Sequence, residues 1–251
     1  IYRPFGFRFI YEKNKMTVTA DVLRRAETDE NWQIHSDQEV SGDIFCEEAK
    51  KEDLAELACF AEKQLSKLAE VYTVHDIAYF EQRMQEVECE GGSLILIRKE
   101  KEICGYFLAL KKDREAWEIV VEDAVQKKAF PAVLHWFGAS EEKCTFTAFP
   151  QIWEQYAQSE NVPAIMGRIV HLERFVCCLK IKKEQEWKIR LTDSLIPENN
   201  GYFIIKTGIE GGSLIRVENL SEKEKKMFCS MDIGQLTEEL FRLPVFLNEV
   251  V

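Results

Sequence analysis

The chain has no C-x-x-C pair, and its four histidines, His35, His75, His135 and His171, are scattered rather than set at ligand spacing near any of the eight cysteines. That pattern excludes the common zinc sites, so no metal is expected. No apolar run approaches the length of a membrane span and no signal peptide is visible in these 251 residues, whose N-terminal part is expected to be missing. A surplus of positive charge is also missing: 33 Lys and Arg against 44 Asp and Glu leave a formal charge of -11 at pH 7. Such a surface repels the phosphates of nucleic acid and of anionic membranes, so neither is expected as a partner. The short basic clusters at Lys180 to Lys183 and Lys223 to Lys226 sit among glutamates and read as solvated faces.

With 251 residues and 46% hydrophobic content, the chain can bury one large core or two modest ones, and two domains are the working expectation. Most cysteines lie in apolar surroundings, as Cys59 does in LACFAE and Cys104 in EICGYF. They read as small core hydrophobes of a reducing compartment, and the cytoplasm fits best.

The opening heptapeptide IYRPFGF places Tyr2, Gly6 and Phe7 in a Y-x-x-x-G-F pattern. A structural reading makes Tyr2 an aromatic packed at a helix end before a glycine turn. FRFIYEKNKMTVTA then reads as two strands of a hairpin with a polar turn at Lys13 to Lys15. From Asp21 to Asp43 the sequence is polar and weakly periodic, which predicts a linker.

Glu52 to Ala69 carries Leu54, Leu57, Ala61, Leu65 and Leu68 at helical spacing and predicts an amphipathic helix. A second helix is expected over Asp76 to Val87, with an acidic N-cap and Gly91 and Gly92 beyond its end. Strands follow at Leu94 to Arg98, Ile103 to Leu110 and Trp117 to Glu122. IMGRIVHLERFVCCL reads as a helix with Ile165, Ile169, Leu172, Phe175, Val176 and Leu179 on one side. Trp187 to Leu191, Tyr202 to Lys206 and Ser213 to Val217 alternate between polar and apolar and predict an antiparallel meander. A last helix spans Ile233 to Phe241, and the fold class as a whole is α+β.

The order of IYRPFGF, the two-helix and three-strand middle, MGRIVHLERFV, the W-x-I-x-L-x-D strand with its NNG turn, and MDIGQLTEELF resembles the Eis-like acetyltransferases of the GNAT superfamily. The resemblance implies the tail of a catalytic GNAT domain plus linker at 1–45, a degenerate GNAT-like domain at 46–160, and a C-terminal domain similar to sterol carrier protein (SCP2-like) at 161–251. It implies that the chain's beginning lacks most of the catalytic domain. In a working GNAT domain the fourth strand leads into an R/Q-x-x-G-x-G/A loop that cradles the pyrophosphate of acetyl-CoA. Here WEIVVEDAV runs into QKKAFPAVLHWFGASEEKC, whose sole glycine is Gly138, so this domain is expected to have lost its cofactor site. Acetyl-CoA as cosubstrate is then expected in the missing N-terminal domain, and the fragment alone is expected to be inactive.

Two catalytic positions carry over by resemblance. Tyr2 corresponds to the general acid, since a phenol with a pKa near ~10 is protonated at neutral pH and can protonate a departing thiolate. The α-carboxylate of Val251 corresponds to a general base; a structural reading of VFLNEVV is the packing of a last strand. The implied activity is N-acetylation of a small cationic or aminoglycoside-like amine, in a homo-oligomer. The alternative is a non-enzymatic module that binds lipid or a partner, or supports oligomerisation. His171 reads as a structural histidine, Asp193, Asn199 and Asn200 as turn and cap residues, and Trp187 and Tyr202 as strand aromatics of a core.

Overall fold

The computed structural model describes residues 2–19, 21–22, 43–69, 71–138, 143–148, 152–153, 157–181, 183–242 and 245–246. Most of the expected linker (23–42) and Val251 lie outside the described residues. The strands in chain order are β1 (Arg8–Val18), β2 (Ile44–Glu48), β3 (Val71–Tyr72), β4 (Ser93–Lys99), β5 (Glu102–Leu110), β6 (Glu115–Val121), β7 (Cys144–Ala148), β8 (Gln158–Gly167), β9 (Gln185–Thr192), β10 (Gly201–Gly208), β11 (Gly211–Val217), β12 (Cys229–Asp232) and β13 (Val245–Phe246). The helices are α1 (Leu54–Leu68), α2 (Ile77–Cys89), α3 (Gln126–Trp136), α4 (Leu172–Cys178), α5 (Glu222–Lys225) and α6 (Ile233–Leu240). Two compact units result, one of Lys13–Lys67 and Thr73–Val162, the other of Ile1–Glu12, Leu68–Tyr72 and Pro163–Val251.

The first of these units is built on a sheet of order β2-β4-β5-β6-β7-β1-β8, which β1 and β8 enter through residues 13–18 and 158–162. Leu94 to Ile97 of β4 and Ile103 to Ala109 of β5 are buried throughout, as expected of strands covered on both faces. On α1 the buried Leu54, Leu57, Ala61 and Leu65 follow the helical period. Asp76 caps α2 by accepting a hydrogen bond from Tyr79 N at 2.8 Å. The aromatic side chains of Phe130, Phe146 and Trp153 pack with ring centroids 5.1 to 6.3 Å apart.

The expected hairpin at the start of the chain is instead one continuous strand. The polar Lys13 to Lys15 segment lies inside β1, where Asn14 pairs with Ala148 and Met16 with Phe146 of β7. Tyr11, Asn14, Met16 and Val18 are its buried positions. A cross-strand partner distant in sequence overrides the local turn signal. The cysteine expectation also fails in part: Cys59, Cys89, Cys177, Cys178 and Cys229 are exposed, and only Cys104 and Cys144 are buried. Cys59 sits on α1 outside the buried stripe that its neighbours Leu57 and Phe60 occupy.

The second unit holds a four-stranded sheet of order β11-β10-β9-β12. The expected meander is present as β9, β10 and β11, with Ile205 opposite Trp187 and Leu214. The unexpected β12 adds to β9 in parallel, with Met231 opposite Leu191. Asp232 and Gln235 form a capping box that starts α6, each backbone N–H donating to the other's side chain at 2.8 Å. Ile233, Leu236 and Leu240 of α6 join Leu172 and Val176 of α4 over Ile189 and Phe203 of the sheet. The helix expected over residues 165–179 is confined to α4. β8 continues to Gly167, and His171 caps the helix by accepting from Arg174 N through Nδ1 at 3.3 Å. β13 pairs with β3 in parallel, Val245 opposite Val71.

Candidate active site

Tyr2 stands at the N-cap of a 3-10 turn over Arg3–Phe5, in which Phe5 N donates to Tyr2 O at 3.0 Å and Gly6 N to Arg3 O at 3.1 Å. Pro4 suits the turn because its ring fixes φ, and Gly6 closes it at φ +83°, in the left-handed region. None of the turn's residues is buried. Tyr2 is 59% exposed and meets Phe7 with ring centroids 5.8 Å apart. It stands at the start of the turn that Gly6 closes, as an exposed rather than a buried aromatic.

Two arginines fasten this turn. Arg168 donates through Nη1 to Phe5 O and through Nη2 to both oxygens of Asp193, at 2.6 and 2.7 Å. Arg8 donates through Nη1 to Arg3 O at 3.1 Å and to Phe7 O at 2.9 Å. Arg8 in turn lies 3.9 Å from Asp232 and 3.6 Å from Glu238, and its guanidinium rests on Gly234, where an added Cβ would come within 2.6 Å of Arg8 Cζ. An open cleft of about 370 Å³ runs along these groups, lined by Phe5, Gly6, Arg8, Arg168, Asp193 and Ile233 among others.

Asp193 also accepts from Asn199 Nδ2 at 2.9 Å, Leu195 N at 2.9 Å and Ile196 N at 3.1 Å. Burial pushes its carboxyl up, but the bonds from Asn199, Leu195 N, Arg168 and Ile196 N outweigh this and hold it below the ordinary aspartate value. Asn200 accepts from Asp193 N at 2.7 Å and donates to Asp193 O at 2.9 Å. These residues are the turn and cap groups that the sequence suggested, with one addition: the pairing with Arg168, 25 residues away, had no sequence signal. His171 is a helix cap. Trp187 packs against the core of its unit, and Tyr202 lies edge-on to Phe228 with centroids 5.3 Å apart.

In the other unit, the strand-to-helix connection after β6 does not fit a pyrophosphate. A 3-10 turn over Asp123–Val125 leads directly into α3 with no glycine and no side-chain cap. The carboxylate of Asp123 sits there, accepting from Gln126 Nε2 at 3.0 Å, and it would repel a phosphate. Trp153 Nε1 donates to Gln126 O at 2.9 Å, which sets an indole beside the start of the helix. The same unit buries a polar cluster that sequence reading missed. Glu118, at φ +52° on β6, accepts from Tyr79 Oη at 2.7 Å and Arg83 Nη2 at 2.8 Å. Strand pairing shifts register on both sides of this position, the mark of a bulge.

Among the described residues no group of three or more His, Cys, Asp or Glu side chains could hold a metal ion, and no helix is long and apolar enough to cross a membrane.

No protein-family model and no curated protein sequence matches the chain. Its fold is similar to a conserved protein of Enterococcus faecalis V583 described as a probable N-acyltransferase, with TM-score 0.60 and 14% identity over 94% of this chain and 58% of that one. It is also similar to GCN5-related N-acetyltransferases from Kribbella flavida (TM-score 0.57, 13% identity, 88% and 54%) and Anabaena variabilis ATCC 29413 (TM-score 0.58, 12% identity, 96% and 60%). The chain thus spans 54 to 60% of the length of these three structures. Over the part it spans, the chain has the fold of GCN5-related N-acetyltransferase structures.

Proposed function

We propose that the chain is the C-terminal part of an acetyl-CoA-dependent N-acetyltransferase of the Eis-like kind. The observation that carries this reading is the fold likeness, at TM-scores of 0.57 to 0.60, to N-acyl- and N-acetyltransferases of which the chain covers little more than half. The exposed Tyr2 on its fastened turn supports the role of general acid. In this reading the acceptor amine attacks the thioester carbonyl of acetyl-CoA. The C–N bond forms, the amine proton passes to the α-carboxylate of Val251, and the C–S bond breaks as Tyr2 protonates sulfur. Solvent then reprotonates Tyr2 and removes the proton from the carboxylate. Acetyl-CoA is held outside the 251 residues, since the turn at Asp123–Val125 is unsuited to it.

A small cationic acceptor such as a polyamine or aminoglycoside suits the charge of -11. A reducing compartment such as the cytoplasm suits the five exposed cysteine thiols, Cys59, Cys89, Cys177, Cys178 and Cys229. The family resemblance adds a homo-oligomer, which sedimentation of the pure protein checks. Thiol release from acetyl-CoA by the full-length protein, measured against a panel of amines, tests the activity. Turnover with at least one cationic amine is expected, and no release with any of them would overturn the reading.

A second reading has its own observation. A cleft of about 510 Å³ in the C-terminal unit is lined by Val170, Leu172, Ile196, Phe203 and Leu214, with Arg216 stacked over Phe203 at 4.7 Å. Its size and its five apolar side chains, beside His171, Glu173, Glu198 and Asn199, suit a small ligand with an apolar part, as the resemblance to sterol carrier protein implies. Solvent extraction of the purified protein decides it: stoichiometric lipid favours carriage, and its absence excludes a stably held lipid.

A further inference from the structure

We propose that Arg168, held by Asp193, is a positioning residue that fixes Tyr2 for proton transfer. The inference rests on the reading of Tyr2 as the general acid. It starts from a mismatch between how the turn is held and what the turn buries. The side chains of Arg168 and Asp193 are 5% and 1% exposed, yet the turn that Arg168 grips buries nothing, with Phe5 49% and Tyr2 59% exposed. A buried ion pair is a poor source of net stability, because desolvation offsets most of the attraction. Among the described residues the turn buries no side chain, so the pair holds its backbone.

Backbone direction is what the pair does fix. A guanidinium is planar, so setting Nη2 on the two oxygens of Asp193 also sets where Nη1 points. That donor meets Phe5 O. Phe5 N holds Tyr2 O, so the carbonyl that Arg168 grips lies one hydrogen bond from the tyrosine. Arg8 holds the carbonyls of Arg3 and Phe7 on either side. Gly6 completes the seat: an added Cβ would lie 2.9 Å from Ile233 Cγ2, at a φ that side chains disfavour. The result is an exposed phenol on a turn whose Arg3, Phe5 and Phe7 carbonyls are each held by an arginine. That arrangement suits a group that must meet a reacting atom in one place, where a misplacement of about 1 Å can lower the rate by ~100-fold.

The test combines kinetics and hydrogen exchange on the full-length protein carrying Tyr2→Phe, Arg168→Lys, and both. Lysine keeps a charge for Asp193 but cannot hold the carboxylate and Phe5 O in one plane. Arg168→Lys is expected to lower kcat by about 10- to 100-fold with KM for acetyl-CoA unchanged, and to raise exchange at the amides of Phe5 and Gly6. The double variant is expected to be no slower than Tyr2→Phe alone, because the two act through one group. Gly6→Ala, whose methyl would crowd Ile233 Cγ2 at 2.9 Å but meet Arg168 only at an ordinary 3.8 Å, is expected to reproduce the same split. Independent, multiplying losses in the double variant, or unchanged exchange at Phe5 and Gly6, would overturn the inference while leaving Tyr2 as acid. Full activity of Tyr2→Phe would overturn the acid assignment itself, and the inference with it.

Discussion

Arg83 donates through Nη2 to Glu118 Oε1 at 2.8 Å, and the two side chains are only 9% and 8% exposed. The pair joins α2 to a strand position with a left-handed backbone, and Tyr79 Oη adds a third group at 2.7 Å. With Glu118 gone, Arg83 still pairs with Glu86 but Tyr79 Oη loses its acceptor. Glu118→Ala should therefore destabilise its unit by about 1–3 kcal/mol, whereas replacing Arg83 and Glu118 together by Met and Leu should be milder. Urea unfolding of the three proteins checks this. A double variant as unstable as Glu118→Ala would contradict it.

His75 should make stability depend on pH. Its ring packs at a tilt against Tyr79 with centroids 4.1 Å apart, and Nδ1 bonds Thr73 O. Burial, aided by Arg83 and opposed by the Thr73 bond and Asp76, lowers its pKa from 6.5 to about 4. The folded protein thus holds His75 neutral where the unfolded chain would protonate it. Its contribution is complete above pH ~6.5 and is lost as pH falls toward about 4, by roughly 3 kcal/mol across the window. His75→Gln should flatten the pH dependence of urea unfolding between pH 7 and 4.5. An unchanged slope would remove His75 as its source.

The cysteines should divide by reactivity. Burial and the neighbouring Cys104 push the Cys46 thiol up to about 12, and burial with Glu122 pushes Cys104 up to about 11. Both remain protonated at pH 8, and the thiolate is the reactive form. Iodoacetamide at that pH should modify the exposed Cys59, Cys89, Cys177, Cys178 and Cys229 while sparing Cys46, Cys104 and Cys144 until the protein is unfolded. Rapid modification of Cys46, read by mass spectrometry, would contradict the assignment.

The 251 residues alone should neither bind coenzyme A tightly nor release thiol from acetyl-CoA, because Asp123 and the Trp153 indole occupy the start of α3. Titration with a fluorescent coenzyme A analogue checks this, and saturable micromolar binding would show that the unit has kept a cradle of another kind.

Local periodicity made part of this fold legible. Leu54, Leu57, Ala61 and Leu65 marked α1, Asp76 marked the start of α2, and the alternation of β9, β10 and β11 gave the meander. The failures share a physical cause. Lys13 to Lys15 looked like a turn because the β7 partner that extends them lies more than 120 residues away. In IMGRIVHLERFV the period correctly selected Ile169, Leu172 and Val176 as core, yet the strand claims its first three residues and His171 starts the helix. Around the candidate site, Tyr2 and Gly6 were visible as a motif. Arg8, Arg168 and the ionic role of Asp193 were not, since each depends on a contact between segments that no spacing encodes.

The measurement that bears most directly on the proposed mechanism compares acetyl transfer by the full-length protein with its native terminus and without Val251, alongside Tyr2→Phe, with acetyl-CoA affinity measured in each. In both variants kcat should fall by roughly 100-fold or more while acetyl-CoA binding is unchanged. Wild-type turnover in either variant would contradict it, removing that residue from the chemistry.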